Sequence, residues 1–588
     1  MSSVTKIREK SGESHRLVRQ EGLGATLIAD GCEFRVWAPS APRVNLRLLG
    51  KDCDLPMHRE ADGYFVQHAA ANPGDKYFYI VDDNKPVPDP VSRLLPEGVH
   101  GPTEIVDPTR FAWTDEAWHG LPLQGYVIYE LHNGTFTRQG TLDAAIEKLP
   151  YLKKLGVSAI ELMPVAAFPG ARNWGYDGVS PYAVQASYGG PDALKRLVDA
   201  AHAIGLAVIL DVVYNHLGNE GNYLRMFAPY FTDRHKTPWG DAINYDQPGS
   251  EGVREYVVAN ARYWIREYHL DGLRLDAVQT IKDDSPTHIL AEIKDNVAAL
   301  ARELGREVCV IAETDENDER IVRPRGSGGY GLDAVWSDDF HHAVHAFFTR
   351  ERKGYYQDFG NARQIVRALN EGFVFQGEPF KFWGGRPRGT SARTIPAPAH
   401  VICTQNHDQV GNRAQGERLT ALVPSGARML SAALLLLSPH TPLLFMGQEY
   451  DEKNPFQFFT DYGDPTLQRA VSEGRRNEFK DFNFKDVPDP QDPATFERSK
   501  LNWQLAQENN PMLAWYRRLL DLRRQYVTDS DRTAKAELIN GVIHMQVPAE
   551  NPRLKVLARI EGNAELRAQG AGWEKVLSAD DVAVFVKP

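Results

Sequence analysis

The chain has 588 residues, 42% of them hydrophobic and 25% charged, with a formal net charge of −11. That length calls for one large domain and one or two smaller ones, with a core that needs no disulfide staples. The acidic balance argues against a nucleic-acid partner, which requires a basic stripe. No apolar stretch reaches about 18 residues, so no membrane span is expected.

Residues 1–25 are polar and are expected to form a flexible N-terminus with no signal-peptide core. Residues 26–105 read as β. Phe34–Trp37 and Val44–Leu48 alternate, Lys76–Val81 is rich in strand formers, and Pro, Gly, Asp and Asn lie between them. This predicts a small β-sandwich, serving either as a carbohydrate-binding module or as a structural cap. Pro86 to Pro102 is proline-rich and reads as a linker.

From Tyr126 the pattern repeats a helix followed by a short, fully apolar strand. Leu142, Ile146, Leu149, Leu152 and Leu155 recur at helical spacing before an apolar run at 158–163. Helices are predicted at 192–204 and 250–268, and apolar strands at 207–213, 272–276, 308–313, 400–404 and 443–446. Such units predict a parallel sheet covered on both faces. Their number favours closure into a (β/α)8 barrel over residues 106–514. An open doubly wound sheet usually carries a glycine-rich phosphate loop, and no good GxGxxG is present. From residue 515 an arginine-rich helix and four strand-like runs predict a C-terminal antiparallel β-domain, 515–588. The four cysteines, Cys32, Cys53, Cys309 and Cys403, form no CxxC pair. Free thiols and a cytoplasmic location are expected.

Polar side chains mark the strand ends: Glu161, Asp211 with Asn215 and His216, Asp276, Glu313, and Asn406-His407-Asp408. In a barrel these ends converge on one face. Two carboxylates there can cleave a glycosidic bond, one as nucleophile and one as acid, and the acid needs a raised pKa. Arg274 lies two residues before Asp276, so both side chains leave the strand on the same side.

The segments 211–216, 272–276, 312–313 and 406–408 resemble the four signature regions of the α-amylase family of glycoside hydrolases, in order. The resemblance implies that Asp276 is the nucleophile, Glu313 the general acid and base, and Asp408 the transition-state stabiliser. It implies that His216, Arg274 and His407 hold the sugar, that Tyr176 stacks on it, and that Asp177, Leu275, Ala277, Val278 and Gln279 belong to the binding site. Many α-amylases hold calcium through the Asn of the second region and a His after the nucleophile. Here Asn215 is present, but no Lys-His follows Asp276. Asn215 is therefore expected to fix a loop, and no metal or cofactor is expected.

Longer segments resemble one subgroup, the maltooligosyltrehalose trehalohydrolases. They include Pro96–Pro102, Tyr129–His132, Asp315–Arg320, Gly329–Asp333, Trp336–His342, Asn406–Arg413 and Met446–Tyr450. The subgroup hydrolyses the α-1,4 bond next to a terminal trehalose and acts in a pathway with an enzyme that forms its substrate. The resemblance places Asp338, Asp339, Phe340, His341 and His342 on a loop after the sixth strand, in contact with the sugar. It makes His407, Gln409, Val410, Gly411 and Asn412 the opposite wall. Glu449, near the eighth strand end, is either a site residue or half of a buried ion pair. Glycogen branching enzymes are the nearest alternative, but they usually place His-Asp-Glu where this chain has His407-Asp408-Gln409. A non-catalytic glucan-binding protein is the alternative of another class, and the intact Asp276, Glu313 and Asp408 oppose it.

Overall fold

The computed structural model describes residues 22–51, 53–479, 487–527 and 532–587. Eight parallel strands close a barrel in chain order. They are Ile128–Leu131, Ala159–Leu162, Ala207–Val212, Gly272–Leu275, Cys309–Ala312, Ala334–Trp336, His400–Cys403 and Thr441–Phe445.

Strand alternation divides the barrel core in two. Ile128, Ala159, Ala207, Ile209, Cys309, Ile311, Ala334 and Leu443 form one buried cluster inside the barrel. Tyr129, Ile160, Leu162, Leu210, Leu273, Leu275 and Val310 join the main core, under the surrounding helices. The same parity that sends Leu273 and Leu275 outward sends Arg274 and Asp276 inward. The predicted helix over 142–155 is two helices, Leu142–Ile146 and Leu149–Leu155. The break falls just before Pro150, which lacks an N–H and is tolerated only in a first turn.

Most of the predicted flexible N-terminus lies outside the described residues, but Gly24–Ile28 is already a strand. Two four-stranded antiparallel sheets follow. One pairs Gly24–Ile28, Gly31–Trp37, Tyr64–Ala69 and His58–Arg59, and the other pairs Leu55–Pro56, Val44–Leu48, Lys76–Val81 and Thr103–Glu104.

The proline-rich stretch is not a free linker. Val87 bridges to Tyr79. Buried Asp89 accepts from Tyr77 Oη at 2.6 Å, and Tyr256 Oη donates to the Pro90 carbonyl at 2.8 Å. The segment is a wedge between the sandwich and the helix Ser250–Glu267. Prolines suit it because fixed φ angles hold a packed, irregular path at low entropy cost.

At the other end, Lys535–Ile539, Val542–Val547, Leu554–Arg559, Val582–Val586 and Glu574–Ala579 form a five-stranded antiparallel sheet. The strand Glu574–Ala579 carries no clean alternation and escapes the sequence reading. The arginine-rich helix, Pro511–Tyr526, packs on the barrel side. Trp515 donates to the Met429 carbonyl at 2.9 Å, and Arg523 donates to the carbonyls of Leu436, Ser438 and His440. These contacts join the helix to Ser425–Leu437 of the barrel layer. All four cysteines are free, with Cys32, Cys309 and Cys403 buried and Cys53 exposed.

The sandwich docks through Trp37, whose ring lies over Gly252. A β-carbon on Gly252 would sit 2.2 Å from the indole. Gly252→Val should therefore expel the indole and cost about 1–3 kcal/mol. A lower thermal midpoint with unchanged turnover at low temperature is the expected result.

Candidate active site

The site is assembled around Arg274, whose side chain is fully buried inside the fourth strand. Its Nη1 donates to Asp211 Oδ1 and Oδ2 at 2.9 and 2.8 Å, and to Asp276 Oδ1 at 2.8 Å. Its Nη2 lies 3.5 Å from Glu313 Oε2. The guanidinium carbon sits 4.4 Å from the centre of the Trp336 ring, which closes the face below. One cation thus joins side chains from the third strand, the fourth strand and the end of the fifth.

Asp276 follows the last residue of its strand and is held from a second direction by Asn215. The Asn215 amide donates to both the carbonyl and Oδ2 of Asp276, each at 2.7 Å. The expected loop-fixing residue therefore grips the candidate nucleophile itself. Ala277 then takes a left-handed conformation, φ 41°. Such strain in a non-glycine residue is tolerated where the surroundings enforce it. It turns the Ala277 N–H onto Glu313 Oε2 at 2.6 Å.

Glu313 is held well above the usual carboxylate range. Burial is the main cause, Arg274 opposes it, and the negative charges of Asp276, Asp408 and Asp338 add to it. Asp408 is the open member of the three, with a side chain 37% exposed. It accepts from Asn412 Nδ2 at 3.0 Å.

Tyr176 and His407 form the next layer. Tyr176 Oη donates to Asp211 Oδ2 at 2.6 Å and meets His407 Nε2 at 2.8 Å, with the two rings stacked 5.2 Å apart. His216 contacts Asn215 Oδ1 and the Tyr176 carbonyl. Asp177 is half-buried and takes a hydrogen bond from Asn173 at 2.7 Å.

Several expectations need correction. Leu275 is 1% exposed and faces the helix layer, because the parity that turns Arg274 and Asp276 inward turns it outward. Asp338 to His342 do not form a loop. They open the helix Asp338–Thr349. Phe340 is 0% exposed and cannot touch a sugar. Asp339 is a buried anchor for the insertion before the seventh strand. It accepts from Arg388, Asn317 and the Val374 and Phe375 amides, at 2.6–3.0 Å. His341 is turned onto the Thr404 carbonyl at 2.7 Å. His342 donates to the Asp338 carbonyl and stacks on Phe359. Asp338 alone of the five adds its charge to Glu313.

Val278 is buried, and its N–H bonds the Glu313 carbonyl at 3.0 Å. Gln279 is half-buried, beside a cavity of about 240 Å³ that it shares with Thr314, Glu316 and Tyr330. His407–Gly411 is a short helix whose first turn is capped by Asn406. Its Val410 and Gly411 are buried and lie behind the exposed Asn412. Glu161 is not at the catalytic face. It points into the barrel interior from within its strand and is 1% exposed. Glu449 is also outside the site and in no ion pair among those described. It accepts hydrogen bonds from Tyr129 and Tyr151.

Trp239 escapes the sequence reading. It is 46% exposed in the turn of a hairpin, Phe231–Thr237 and Gly240–Ile243, and stacks on His216 with ring centres 4.4 Å apart. A tryptophan between Pro238 and Gly240, in a stretch with no apolar periodicity, was the available signal. For a metal, the described residues offer one grouping, His235, Asp246 and Asp284, with ligand atoms within 4.8 Å of one another. His235 already bonds Asp246, and Asp284 pairs with Arg234.

The family model described as the α-amylase catalytic domain matches residues 106–239. The chain is 48% identical over 516 residues to the malto-oligosyltrehalose trehalohydrolase of Saccharolobus solfataricus, covering 88% of this chain and 89% of that one. The protein of the same name from a Rhizobium species is 48% identical over 504 residues, covering 84% of each chain. A 1.4 Å crystal structure of an α-amylase candidate from Salmonella typhimurium has a TM-score of 0.88 at 42% identity, covering 96% of this chain and 100% of that one. With identity of this size over nearly the whole length, the chain belongs to the malto-oligosyltrehalose trehalohydrolase family, a branch of the α-amylase-type glycoside hydrolases.

Proposed function

We propose that the protein hydrolyses the α-1,4-glucosidic bond next to the terminal trehalose of a maltooligosyltrehalose, with retention of configuration. The observation that carries the chemistry is the pairing of Asp276 and Glu313 on one buried guanidinium, at neighbouring strand ends. The observation that carries the substrate is the identity to trehalohydrolases across both chains.

The roles follow from the environments. Asp276, held in place by Arg274 and Asn215, attacks the anomeric carbon. Glu313 keeps its proton because burial and three neighbouring carboxylates disfavour a fourth charge. It gives that proton to the glycosidic oxygen as the bond to C1 breaks, and trehalose leaves. The maltooligosyl unit stays on Asp276 as an ester. Glu313, now a carboxylate, takes a proton from water, which attacks C1 and frees the maltooligosaccharide. Asp408, exposed at the mouth, binds sugar hydroxyls and stabilises the positive charge that develops on the ring. Trp239 and Tyr176 supply aromatic surface for the sugar.

No helix among the described residues is long and apolar enough to cross a membrane. We place the enzyme in the cytoplasm on the strength of its free cysteines. It acts there after an enzyme that forms the trehalose-capped chain.

The deciding assay offers the enzyme a trehalose-capped maltooligosaccharide beside its uncapped counterpart and measures free trehalose. Rapid release from the capped chain, with slow cutting of the uncapped one, is expected. New α-1,6 linkages in the uncapped glucan, without trehalose, would instead make it a branching enzyme. Asp276→Ala should lower kcat by at least about a thousandfold without unfolding the chain. A variant retaining near-parent turnover would remove Asp276 from the nucleophile's role.

The pH profile gives a further check. Activity needs the Glu313 proton, so the raised pKa carries the alkaline limb of kcat/KM above the usual carboxylate range. Asp338, itself pushed up to about 7 chiefly by burial, adds to that shift once ionised. Asp338→Asn removes its charge, lowers the Glu313 pKa and should move the alkaline limb to lower pH.

A further inference from the structure

The hydrolytic cycle leaves two buried acids, Glu130 and Glu161, without a task. They sit opposite each other in register on the first and second barrel strands, each 1% exposed. Their surroundings differ. Glu130 Oε1 lies 2.5 Å from His407 Nδ1, and its Oε2 accepts the backbone N–H of His407 at 3.0 Å. Neither oxygen of Glu161 has a hydrogen-bond partner. A buried carboxylate without donors is far costlier than a neutral carboxyl, and two adjacent carboxylates oppose joint ionisation. The charge belongs on Glu130 and the proton on Glu161.

Counting hydrogens then determines the state of His407. Tyr176 Oη owns one proton and faces two groups, Asp211 Oδ2 at 2.6 Å and His407 Nε2 at 2.8 Å. Burial lifts Asp211 to about 6 against the two contacts from Arg274, so above that pH it is ionised and receives the tyrosine proton. His407 Nε2 must bring its own proton, since otherwise two lone pairs would face each other. Nδ1, against the Glu130 carboxylate, carries one as well. Both ring nitrogens donate only in the imidazolium.

We propose that Glu130 and Glu161 share one negative charge, held on Glu130, and that this charge keeps His407 a permanent imidazolium. Glu130 is thereby a positioning residue for the reaction. Its effect passes along a hydrogen-bonded chain, through His407, the neutral Tyr176, Asp211 and Arg274 to Asp276. The groups around the ring come from every wall. Glu130, Asp211 and Asp408 are negative, Arg274 is positive, Glu161 and Tyr176 are neutral, and the Trp336 and Trp174 rings close the sides. Burial opposes the imidazolium, but Asp408 and Glu130 outweigh it and lift His407 to about 10.

The test begins with the unaltered full-length protein, its histidines labelled with nitrogen-15, followed by NMR through and beyond the ordinary histidine titration near about pH 6.5. One imidazolium signal should persist unchanged and be missing from His407→Gln. His202, which also sits between two carboxylates, is identified separately by His202→Gln. A His407 signal titrating near about pH 6.5 would overturn the proposal. In the infrared, the parent at alkaline pH should show a protonated-carboxyl carbonyl stretch that persists in Glu313→Gln, which removes the other buried acid proton, and is absent in Glu161→Gln. Its absence from the parent would equally overturn it. In Glu130→Gln the ring keeps Asp408 but loses its hydrogen-bonded countercharge, so the His407 signal should begin to titrate at lower pH, and kcat/KM relative to the parent should fall as pH rises through that titration and recover on acidification. A loss that ignores pH would leave Glu130 merely structural and refute the charge role. The enzymatic arm rests on the glycosidase reading, whereas both spectra need no turnover, so the two can fail separately.

Discussion

A single buried guanidinium makes the upper end of this barrel possible. Asp211, Asp276 and Glu313 would repel one another in a dry interior, where desolvation of each carboxylate costs several kcal/mol. Arg274 contacts all three and has its own charge satisfied by them. All three short hydrogen bonds run from Nη1 while the flat guanidinium lies over the Trp336 ring, a planar stacking that lysine does not offer. The arrangement also divides labour. Asp276 takes short hydrogen bonds from Arg274 and Asn215, whereas Glu313 meets the guanidinium only at 3.5 Å, takes one bond from the Ala277 N–H, and is held well above the usual carboxylate range chiefly by burial. Nucleophile and acid are thus separated by environment between residues of similar intrinsic acidity.

The rest of the molecule serves that geometry. Inward and outward apolar sets keep the barrel wall rigid on both sides, so the strand ends are fixed in space. Asp339 and Arg388 tie down the long insertion between the sixth and seventh strands, next in sequence to Asp338. The sandwich braces the barrel through Trp37 and the Asp89 wedge, far from the chemistry. Function sits on the loops and strand ends, while the scaffold beneath them holds their positions.

Much of this was legible in the chain. Apolar strands alternating with helices announced the barrel, and the spacing of Arg274 and Asp276 placed both on one side of a strand. The order of the four signature regions identified the catalytic carboxylates. The same parity argument, carried one step further, excludes Leu275 from the cleft. Asp338 to His342 show the limit of local pattern in another way. Five polar and aromatic residues in a row look like a loop, but as the first turns of a helix they face different directions, and most face protein.

What the sequence determined by itself was local: which strands form, which side chains share a face, and which acids stand at the strand ends. These follow from short-range periodicity and residue chemistry. Tertiary structure decided what no local pattern encodes. Glu130 and His407 meet across 277 residues of chain. Glu161 is left without a partner, and Trp239 swings over His216. The first two depend on closure of the barrel, which brings the first and second strands opposite the end of the seventh, and the third on the fold of the long connection between the third and fourth strands. The acid and ionised forms of the carboxyls were settled there too, because a pKa in a protein interior is set by the neighbours that folding supplies.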